Sequence, residues 1–552
     1  MVNFIRHQIT FLYVFGVWEG TRVPRGNPHR DREIKHWTLM LYCLHICSYA
    51  FQVFNDPIHG HIELHPLLVR IIDTPEFQRL RYIKQLGGIY YVYPGASHNR
   101  FEHSIGVGHL AGCLARELRD RQPELNITDT DILCVQIAGL CHDLGHGPFS
   151  HLFESKFMSY KRDLQQQKLP TTHEDLSIKM FDHLIESNHL KAELSDQEIT
   201  EPDLTFIKEL IMGCPLSDKL KLDPWPYEGR PVEKMFLYQI VANKENGIDV
   251  DKFDYLARDC YHLGIQNSFD YKRFLKFARV CDVGNRKHIC VRDKEVWNLY
   301  NMFYTRYGLY RRTCHHRVVN VIEIMIGEAF GKADKYFKIK GSKVKVDSEV
   351  KVELLTISGA VNDMVAYTKL TDAIFLQILY SSDPNLSAAK EILEKIVHRK
   401  FYSYLGEATS NPTSKQTPDK IKLSGELATA VKRGDPNLRC TEEDFVVDVF
   451  VLDYGMKEKN PIDKVYFYSK NNPREAFNIR REEVSYLLLV NFSEQIIRAY
   501  CKKTDDDNML KAAKNGFMQL CQDKGFSIRQ VCASSVTKTS DVHAGNYVPK
   551  LA

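Results

Sequence analysis

The sequence predicts a mainly α-helical protein, in which a large helical core is followed by a smaller C-terminal lobe of mixed α and β structure. Two observations predict this fold class. Between residues 51 and 400, apolar residues recur at helical spacing, and glycine and proline interrupt them at intervals. Residues 445–452 and 465–468, by contrast, are β-branched and aromatic runs separated by turn signals, as expected of short strands.

The composition is that of an ordinary globular protein. The chain has 552 residues, of which 44% are hydrophobic and 26% are charged. This length allows two or more domains with sizeable cores, and these fractions exclude disorder throughout. The formal net charge of +4 favours no class of partner by itself. Fourteen cysteines without a CxxC pair are typical of reduced thiols in the cytosol or nucleus.

Residues 1–50 are predicted to be an atypical N-terminal segment. Its two apolar stretches, residues 9–18 and 37–51, are shorter than the roughly 20 residues that a helix needs to cross a bilayer. No small-residue cleavage site follows the first stretch, which argues against a signal peptide. We therefore expect helices packed on the main domain and no stable membrane partner.

Two helices are predicted at the start of the core. The first covers residues 74–86 and ends at a Gly-Gly pair, after which residues 90–93 are predicted to be extended. The second helix begins near Asn99. Its apolar stripe includes Val107, four residues after His103, so His103 is expected to face the core.

A third helix is predicted to lead directly into a histidine and an aspartate, His142 and Asp143. Residues 132–141 are so apolar that they must be buried, and a capping threonine precedes them. An unpaired charge at the end of such a helix costs several kcal/mol, so a cation is expected there. Glycines and a proline then break the helix and leave His146 and His151 beside a tight turn.

A fourth helical stretch, residues 249–260, adds carboxylates. Asp251, Tyr255 and Asp259 recur every four residues and share one face. Two imidazoles and two carboxylates suit one divalent transition metal: zinc, iron or manganese. They leave coordination positions of the metal open for water and substrate. The four candidate ligands are His103, His142, Asp143 and Asp251.

Composition divides the rest of the chain. Residues 406–425 are rich in Ser, Thr, Pro and Lys and are predicted to be a mobile linker. This linker separates the core, residues 51–405, from a C-terminal regulatory or oligomerisation lobe, residues 426–527. Residues 528–552 are polar and are predicted to be a disordered tail.

The spacing of the four candidate ligands resembles that of the HD-domain metal-dependent phosphohydrolases. Three motifs make the resemblance more specific: FNDPIHG from Phe54, RLRYIKQ from Arg79 and HNRFEH from His98. Together with residues 247–266, they resemble the vertebrate SAM and HD domain-containing deoxynucleoside triphosphate triphosphohydrolases. The resemblance covers residues 51–525, which identifies residues 51–405 as an HD-domain catalytic core, and no SAM domain is expected in residues 1–50.

The resemblance implies an enzyme that hydrolyses a dNTP to a deoxynucleoside and triphosphate. It implies catalytic roles for Asp143, His146, His151 and His173. Glu174 is adjacent to His173 in the sequence and is expected to be the carboxylate that orients it. Magnesium is expected on the nucleotide phosphates. The implied substrate contacts are Gln85, Leu86, Arg100, His146, His151, Lys252, Tyr255, Asp259, Arg306 and His315.

The resemblance also implies regulation by nucleotides. Activation by GTP or dGTP and by dNTPs is expected, together with a homotetramer whose subunits share the regulatory sites. By the same resemblance we expect a nuclear enzyme, with the cytoplasm as a second compartment, that limits dNTP pools in antiviral defence and in DNA replication and repair. The implied allosteric residues are Val53, Asn55, Asp73, Gln78, Arg81, Arg273, Phe277, Arg292, Lys294, Asn298, His316, Arg317 and Lys502.

The sequence departs from the family's pattern in three places. Cys314-His315-His316-Arg317 stands where Tyr-Gln-His-Lys is expected, which puts strict sugar discrimination in doubt. Gln52 replaces a lysine that meets the activator's phosphates, which weakens or alters the expected activation by GTP. The tail lacks a proline-directed phosphorylation motif.

Two other functions are compatible with parts of the pattern. Basic and aromatic residues alternate within residues 271–317, as in a scaffold that binds single-stranded nucleic acid and holds a structural metal. The segment from His142 to His146 mimics the HExxH signature of zinc proteases with Asp in place of Glu. That signature needs an unbroken helix, whereas glycines and a proline end this one.

Overall fold

The computed structural model describes residues 52–161, 172–213, 225–284, 286–346, 349–410 and 418–529. The predictions for residues 1–50 and for nearly all of the tail, residues 530–552, lie outside these ranges. The helices, numbered α1 to α17 in chain order, are Pro66–Ile72, Pro75–Gln78, Arg100–Arg121, Asp129–Cys141, His173–Ser187, Lys191–Asp196, Glu201–Met212, Val250–Leu263, Tyr271–Phe277, Val296–Leu309, Arg317–Ala333, Met364–Thr368, Ala373–Leu379, Ser387–Val397, Lys420–Gly434, Arg481–Val484 and Asp507–Lys524.

The strands of the described ranges form two separate hairpins and two four-stranded sheets. The strands β1 to β12 are Gln52–Asp56, Gly60–Leu64, Ala278–Val283, Arg286–Arg292, Ile339–Val346, Glu349–Leu355, Ser403–Thr409, Phe445–Asp453, Phe467–Tyr468, Ala476–Phe477, Ser493–Cys501 and Ser527–Arg529. Strands β1 and β2 pair in one hairpin and β5 and β6 in the other, while the sheets have the orders β10-β9-β4-β3 and β12-β7-β11-β8. The mainly helical fold with a smaller mixed C-terminal part is confirmed.

Three of the helices that carry the candidate site begin where the sequence predicts. Asn99 caps α3 in a capping box, and Thr128 caps α4 by accepting a hydrogen bond from the backbone N–H of Asp131. Asp249 caps α8 by accepting from the N–H of Lys252. Each cap satisfies amide donors that the first helical turn leaves unpaired, so the start of each helix is determined locally.

Helices α3 and α4 lie against each other with their backbones in close approach. A Cβ atom built on Gly139 would lie 3.1 Å from the carbonyl oxygen of Val107, and one built on Gly108 would lie 3.1 Å from that of Gln136. Such spacing is tighter than ordinary van der Waals contact, so glycine at both positions allows the approach. The packing places His103 of α3 beside His142, the residue that caps the end of α4.

The first predicted helix, residues 74–86, is wrong in its second half. Helix α2 passes into a 3₁₀ turn, Arg79–Tyr82, and Ile83 is extended. This segment is extended because it pairs with residues just before α3. Lys84 forms a β-bridge with Asn99, and the N–H of Gln85 donates to the carbonyl oxygen of His98. Residues 90–93, predicted to be extended, contain the end of a 3₁₀ helix, Gly87–Tyr91.

The C-terminal sheet carries α15 and α17 on one side and has its own apolar core. Within the predicted linker, residues 406–425, residues 406–409 end β7 and residues 420–425 begin α15, so these parts are regular structure and not a mobile linker. Its residues 411–417 lie outside the described ranges. Of residues 465–468, Phe467–Tyr468 form β9, which pairs in parallel with β4 of the core. None of the helices in the described ranges is both long and apolar enough to span a bilayer.

Candidate active site

The four predicted metal ligands converge from three helices. His103 lies on α3, His142 and Asp143 follow α4, and Asp251 lies on the first turn of α8. The Nε2 atom of His103 is 3.2 Å from Asp251 Oδ1 and 3.4 Å from Asp143 Oδ2. The Nε2 atom of His142 is 3.3 Å from Asp143 Oδ1 and 3.5 Å from Asp251 Oδ1. The structure therefore brings all four side chains together.

The hydrogen bonds of the two imidazoles fit a cation at their centre. His103 Nδ1 lies 2.7 Å from a carboxylate oxygen of Asp254, and His142 Nδ1 lies 2.8 Å from the carbonyl oxygen of Gly139. Acceptors at both Nδ1 atoms make these nitrogens the donors, so each ring would direct an Nε2 lone pair to a metal bound between the carboxylates. Both Nε2 atoms are buried without a hydrogen-bond partner. A divalent ion would pair with these lone pairs and with Asp143 and Asp251.

The electrostatics of the cluster agree with this interpretation. Burial lowers the pKa of His103, but the neighbouring carboxylates of Asp143, Asp251 and Asp254 outweigh burial and raise the pKa well above its ordinary value. In Asp251, burial raises the carboxyl pKa, yet the nearby imidazoles of His103 and His142 lower it overall. The carboxylates are therefore ionised, and their negative charge stabilises a positive charge at the centre of the cluster, as a cation-binding site requires.

Three further histidines form a second cluster beside the first. His146 and His173 stack at 4.2 Å between ring centroids, and His151 meets both rings edge-on. His146 Nε2 lies 3.3 Å from Asp143 Oδ1, which links the two clusters. Burial and the positive charges of Arg100 and His173 hold the pKa of His146 well below its ordinary value, so this ring is neutral.

His173 has a carboxylate partner that the sequence did not identify. Its Nδ1 is 3.1 Å from Glu154, whereas the predicted partner, Glu174, is 3.5 Å away and pairs with Lys244. Burial lowers the pKa of His173, but the hydrogen bond to Glu154 outweighs burial and raises the pKa above its ordinary value. Residue 154 lies on a π-helical turn, Phe153–Met158, whose geometry helical periodicity does not predict.

A cavity of about 780 Å³ opens onto both clusters. All of the predicted substrate contacts line it, as do His142, Asp143, His173 and Asp251. The C-terminal lobe supplies part of the wall through Asp448, Val449 and Phe450 of β8. Phe450 stacks on His315 with the two rings nearly parallel and their centroids 4.3 Å apart.

The cationic residues of the cavity differ in how far their charges are already paired. Arg100 lies 2.6 Å from Asp143 and also donates to the carbonyl oxygen of Gln85, so its guanidinium is held inside the site. Lys252 is 3.2 Å from Asp249, and Arg306 donates to the carbonyl oxygen of Asp453. These three charges lie on different elements of the cavity wall, and guanidinium and ammonium groups are strong hydrogen-bond donors to phosphate oxygens.

The structure brings some of the predicted regulatory residues together. Lys294 Nζ lies 3.9 Å from the ring centroid of Phe277, and the guanidinium of Arg273 lies 5.3 Å from the same ring. Asn298 and Arg273 both hydrogen-bond to Glu295.

The remaining regulatory predictions fall on other elements. Lys502 pairs with Glu328 of α11, and Arg292 pairs with Asp293. His316 caps α11, and the guanidinium of Arg317 lies 5.5 Å from the ring centroid of Tyr404. The other predicted residues lie near the N-terminal end of the described chain: Val53, Asn55, Asp73, Gln78 and Arg81.

Comparison with known proteins identifies the family. The HD domain model matches residues 100–258, a range that contains all four candidate ligands. The deoxynucleoside triphosphate triphosphohydrolase SAMHD1 of Xenopus laevis is 59% identical over 503 residues, which cover 88% of this chain and 77% of that protein. Human SAMHD1 is 56% identical over 482 residues, with coverages of 87% and 74%. The Dictyostelium discoideum SAMHD1 homologue is 37% identical over 463 residues, with coverages of 84% and 79%.

The chain belongs to the SAMHD1 family of deoxynucleoside triphosphate triphosphohydrolases. The resemblance found in the sequence is thereby confirmed. Membership of the SAMHD1 family makes the chain an HD-domain hydrolase and implies a divalent metal. The alternative of a zinc protease does not fit, because His142 and His146 belong to different clusters of candidate ligands.

Proposed function

We propose that this protein is a metal-dependent dNTP triphosphohydrolase, which converts a dNTP and water to a deoxynucleoside and triphosphate. The observation that carries the proposal is the convergence of His103, His142, Asp143 and Asp251 beside one cavity. All of these residues except His103 line the cavity, together with His173 and several cations. The names of the relatives support the choice of substrate, since they are deoxynucleoside triphosphate triphosphohydrolases.

The residues of the site have distinct roles in this reaction. When bound at the four ligands, a divalent ion supplies a Lewis acid for a phosphoryl oxygen and lowers the pKa of a water molecule. The 5′ oxygen is a poor leaving group unless it is protonated. His173 is the proton donor, because its hydrogen bond with Glu154 raises its pKa and so extends its protonated range to higher pH. Neutral His146, stacked on His173, fills the space between the donor and Asp143 without adding a positive charge.

The remaining cavity residues bind and orient the nucleotide. Lys252, Arg306 and His151 face the triphosphate, and Arg100 holds Asp143 while presenting positive charge to the phosphates. The deoxyribose lies beside Gln85 and Leu86, and Tyr255 and Asp259 hydrogen-bond its 3′ hydroxyl. Magnesium accompanies the phosphates, and zinc, iron or manganese occupies the four-ligand site.

We further propose that nucleotides regulate the enzyme. Arg273, Phe277 and Lys294 form a cationic and aromatic surface suited to a deoxynucleotide activator, which supports the implied homotetramer activated by GTP and dNTPs. Gln52, at the start of β1, weakens or alters the response to GTP. From the same family resemblance we propose that the enzyme is nuclear and that it limits dNTP pools in antiviral defence, DNA replication and repair.

One chromatographic assay tests the activity. Purified protein with manganese and magnesium is mixed with dGTP, with and without GTP, and the products are separated. Triphosphate and deoxyguanosine are expected, and Asp143→Asn should abolish both. Phosphate or pyrophosphate as the product would refute the proposed reaction. Salt-dependent binding of single-stranded nucleic acid without any hydrolysis would instead support the scaffold alternative.

A further inference from the structure

A buried carboxylate, Asp254, stands behind the metal ligand His103. Asp254 is completely buried on α8, three residues after the candidate ligand Asp251. Its Oδ2 atom is 2.7 Å from His103 Nδ1. A carboxylate in this place fixes the orientation of the ring and its tautomer, so that the Nε2 lone pair is directed to the metal position.

The position of this carboxylate is itself determined by several contacts. Arg258, one turn along α8, donates to both oxygens of Asp254 at 2.9 and 2.8 Å. A Cβ atom at position 106 would overlap Asp254 Oδ1, so Gly106 of α3 leaves the space that the carboxylate occupies. Arg258 also reaches Asp56 at the end of β1, at 2.8 Å. The metal ligand is thus connected to the β1–β2 hairpin.

A histidine of that hairpin completes the set of groups around Asp254. His59 lies in the turn between β1 and β2, and only 2% of its side chain is exposed. Its Nε2 atom is 2.6 Å from Asp254 Oδ1, and its Nδ1 atom is 2.9 Å from the hydroxyl oxygen of Tyr271. An ionised carboxylate only accepts, so Nε2 of His59 donates to Asp254, which leaves Nδ1 as the partner of the Tyr271 hydroxyl.

These contacts form one continuous chain of hydrogen bonds, in the order Tyr271, His59, Asp254 and His103. We propose that His59 is a positioning residue of the metal centre and that Tyr271 orients it. The inference rests on the metal site of the proposed function. The hydrogen bond from His59 holds Oδ1 of Asp254, which leaves Oδ2 directed at His103. Tyr271, the first residue of α9, thereby helps to set the orientation of His103 on α3.

Metal affinity separates this role from simple support of the fold. His59→Gln and Tyr271→Phe remove the two bonds, and Asp254→Asn weakens the bond to His103. His109→Gln is the matched control, because its ring lies 5.7 Å from that of His59 while its hydrogen bond in the described residues is to Cys113. Metal affinity is measured by dialysis against a graded chelator followed by elemental analysis, and thermal unfolding of the metal-free proteins reports folding.

Roughly 10- to 100-fold weaker manganese binding is expected for Asp254→Asn, with smaller losses of the same sign for His59→Gln and Tyr271→Phe. His109→Gln should bind manganese as the unmodified protein does. Excess manganese should restore kcat in His59→Gln while KM for dGTP stays unchanged.

Unchanged metal affinity in folded His59→Gln overturns the proposal, and so does an equal loss in His109→Gln. A variant that loses thermal stability without losing metal would show a purely structural role. Should the unmodified protein bind manganese through this network but release no triphosphate, the proposed reaction fails while the positioning role stands.

Discussion

Replacing Gly145 by alanine tests whether the position of His173 limits catalysis. Gly145 lies two positions after the candidate ligand Asp143 in the sequence. It packs against the first turn of α5, the helix that begins with His173. A Cβ atom at position 145 would lie 2.6 Å from the carbonyl carbon of Leu176 and closer still to backbone atoms of His173 and Ser177. Ordinary contacts of a Cβ atom begin at 3.4 Å, and backbone atoms cannot rotate away.

The two segments must therefore separate by about 1 Å, and the imidazole of His173 moves with its helix. A displacement of about 1 Å at a reacting group costs roughly 100-fold in rate. Overpacking of this kind also destabilises a fold by about 1–3 kcal/mol. We expect Gly145→Ala to lose about 100-fold in kcat, to unfold at a lower temperature and to retain its metal, because the four ligands lie on or beside other helices.

Gly308→Ala is the matched control. Gly308 lies on α10, two residues after the cavity residue Arg306, and nothing lies within 4 Å of its built Cβ atom. Alanine there should leave kcat unchanged and stabilise the helix by about 0.5–1 kcal/mol. Steady-state release of triphosphate, elemental analysis and thermal unfolding give the three readouts. A folded Gly145→Ala enzyme with normal kcat refutes the reasoning, and loss of metal would assign the defect to the ligands and not to His173.

Three further predictions concern individual groups of the site. Asp251→Asn removes one ligand and should release the metal in elemental analysis, whereas Asp259→Asn, farther along the same face of α8, should keep the metal and raise KM for dGTP. Glu154→Gln should move the alkaline limb of the pH profile of kcat to lower pH. The Glu154 carboxylate raises the pKa of His173 and so keeps this donor protonated to higher pH, and its removal lowers that pKa. An unmoved limb would exclude His173 as the acid. Cys314→Tyr narrows the cavity that Cys314 lines and should lower turnover of GTP relative to dGTP, and an unchanged ratio would mean that residue 314 does not contact the sugar.

The starts of α3, α4 and α8 could be predicted from the sequence, because they depend on short-range patterns. The four candidate metal ligands, which the structure brings together, could be selected by their chemistry and by the family resemblance. A capping side chain bonds to an amide three residues away, as Thr128 does to Asp131, so the signal lies within one turn. The pair His142 and Asp143 follows an unusually apolar helix, and the family motifs surround it. The sequence also predicted the predominance of helix, which the structure confirms.

Only the tertiary structure decided which groups complete the site. Glu154 reaches His173 from a π-helical turn, and Asp254 bonds to His103 across 151 positions in the chain, so local periodicity cannot identify either partner. The Asp254 and Arg258 pair at helical spacing was a signal, yet it is also typical of an exposed ion pair. Residues 406–409 at the end of β7 were predicted as part of a linker because strands gain their stability from partners remote in sequence, here β11 and β12. Secondary structure at capped helices is a local property, whereas the environment of a buried charge is determined by whatever the fold packs against it.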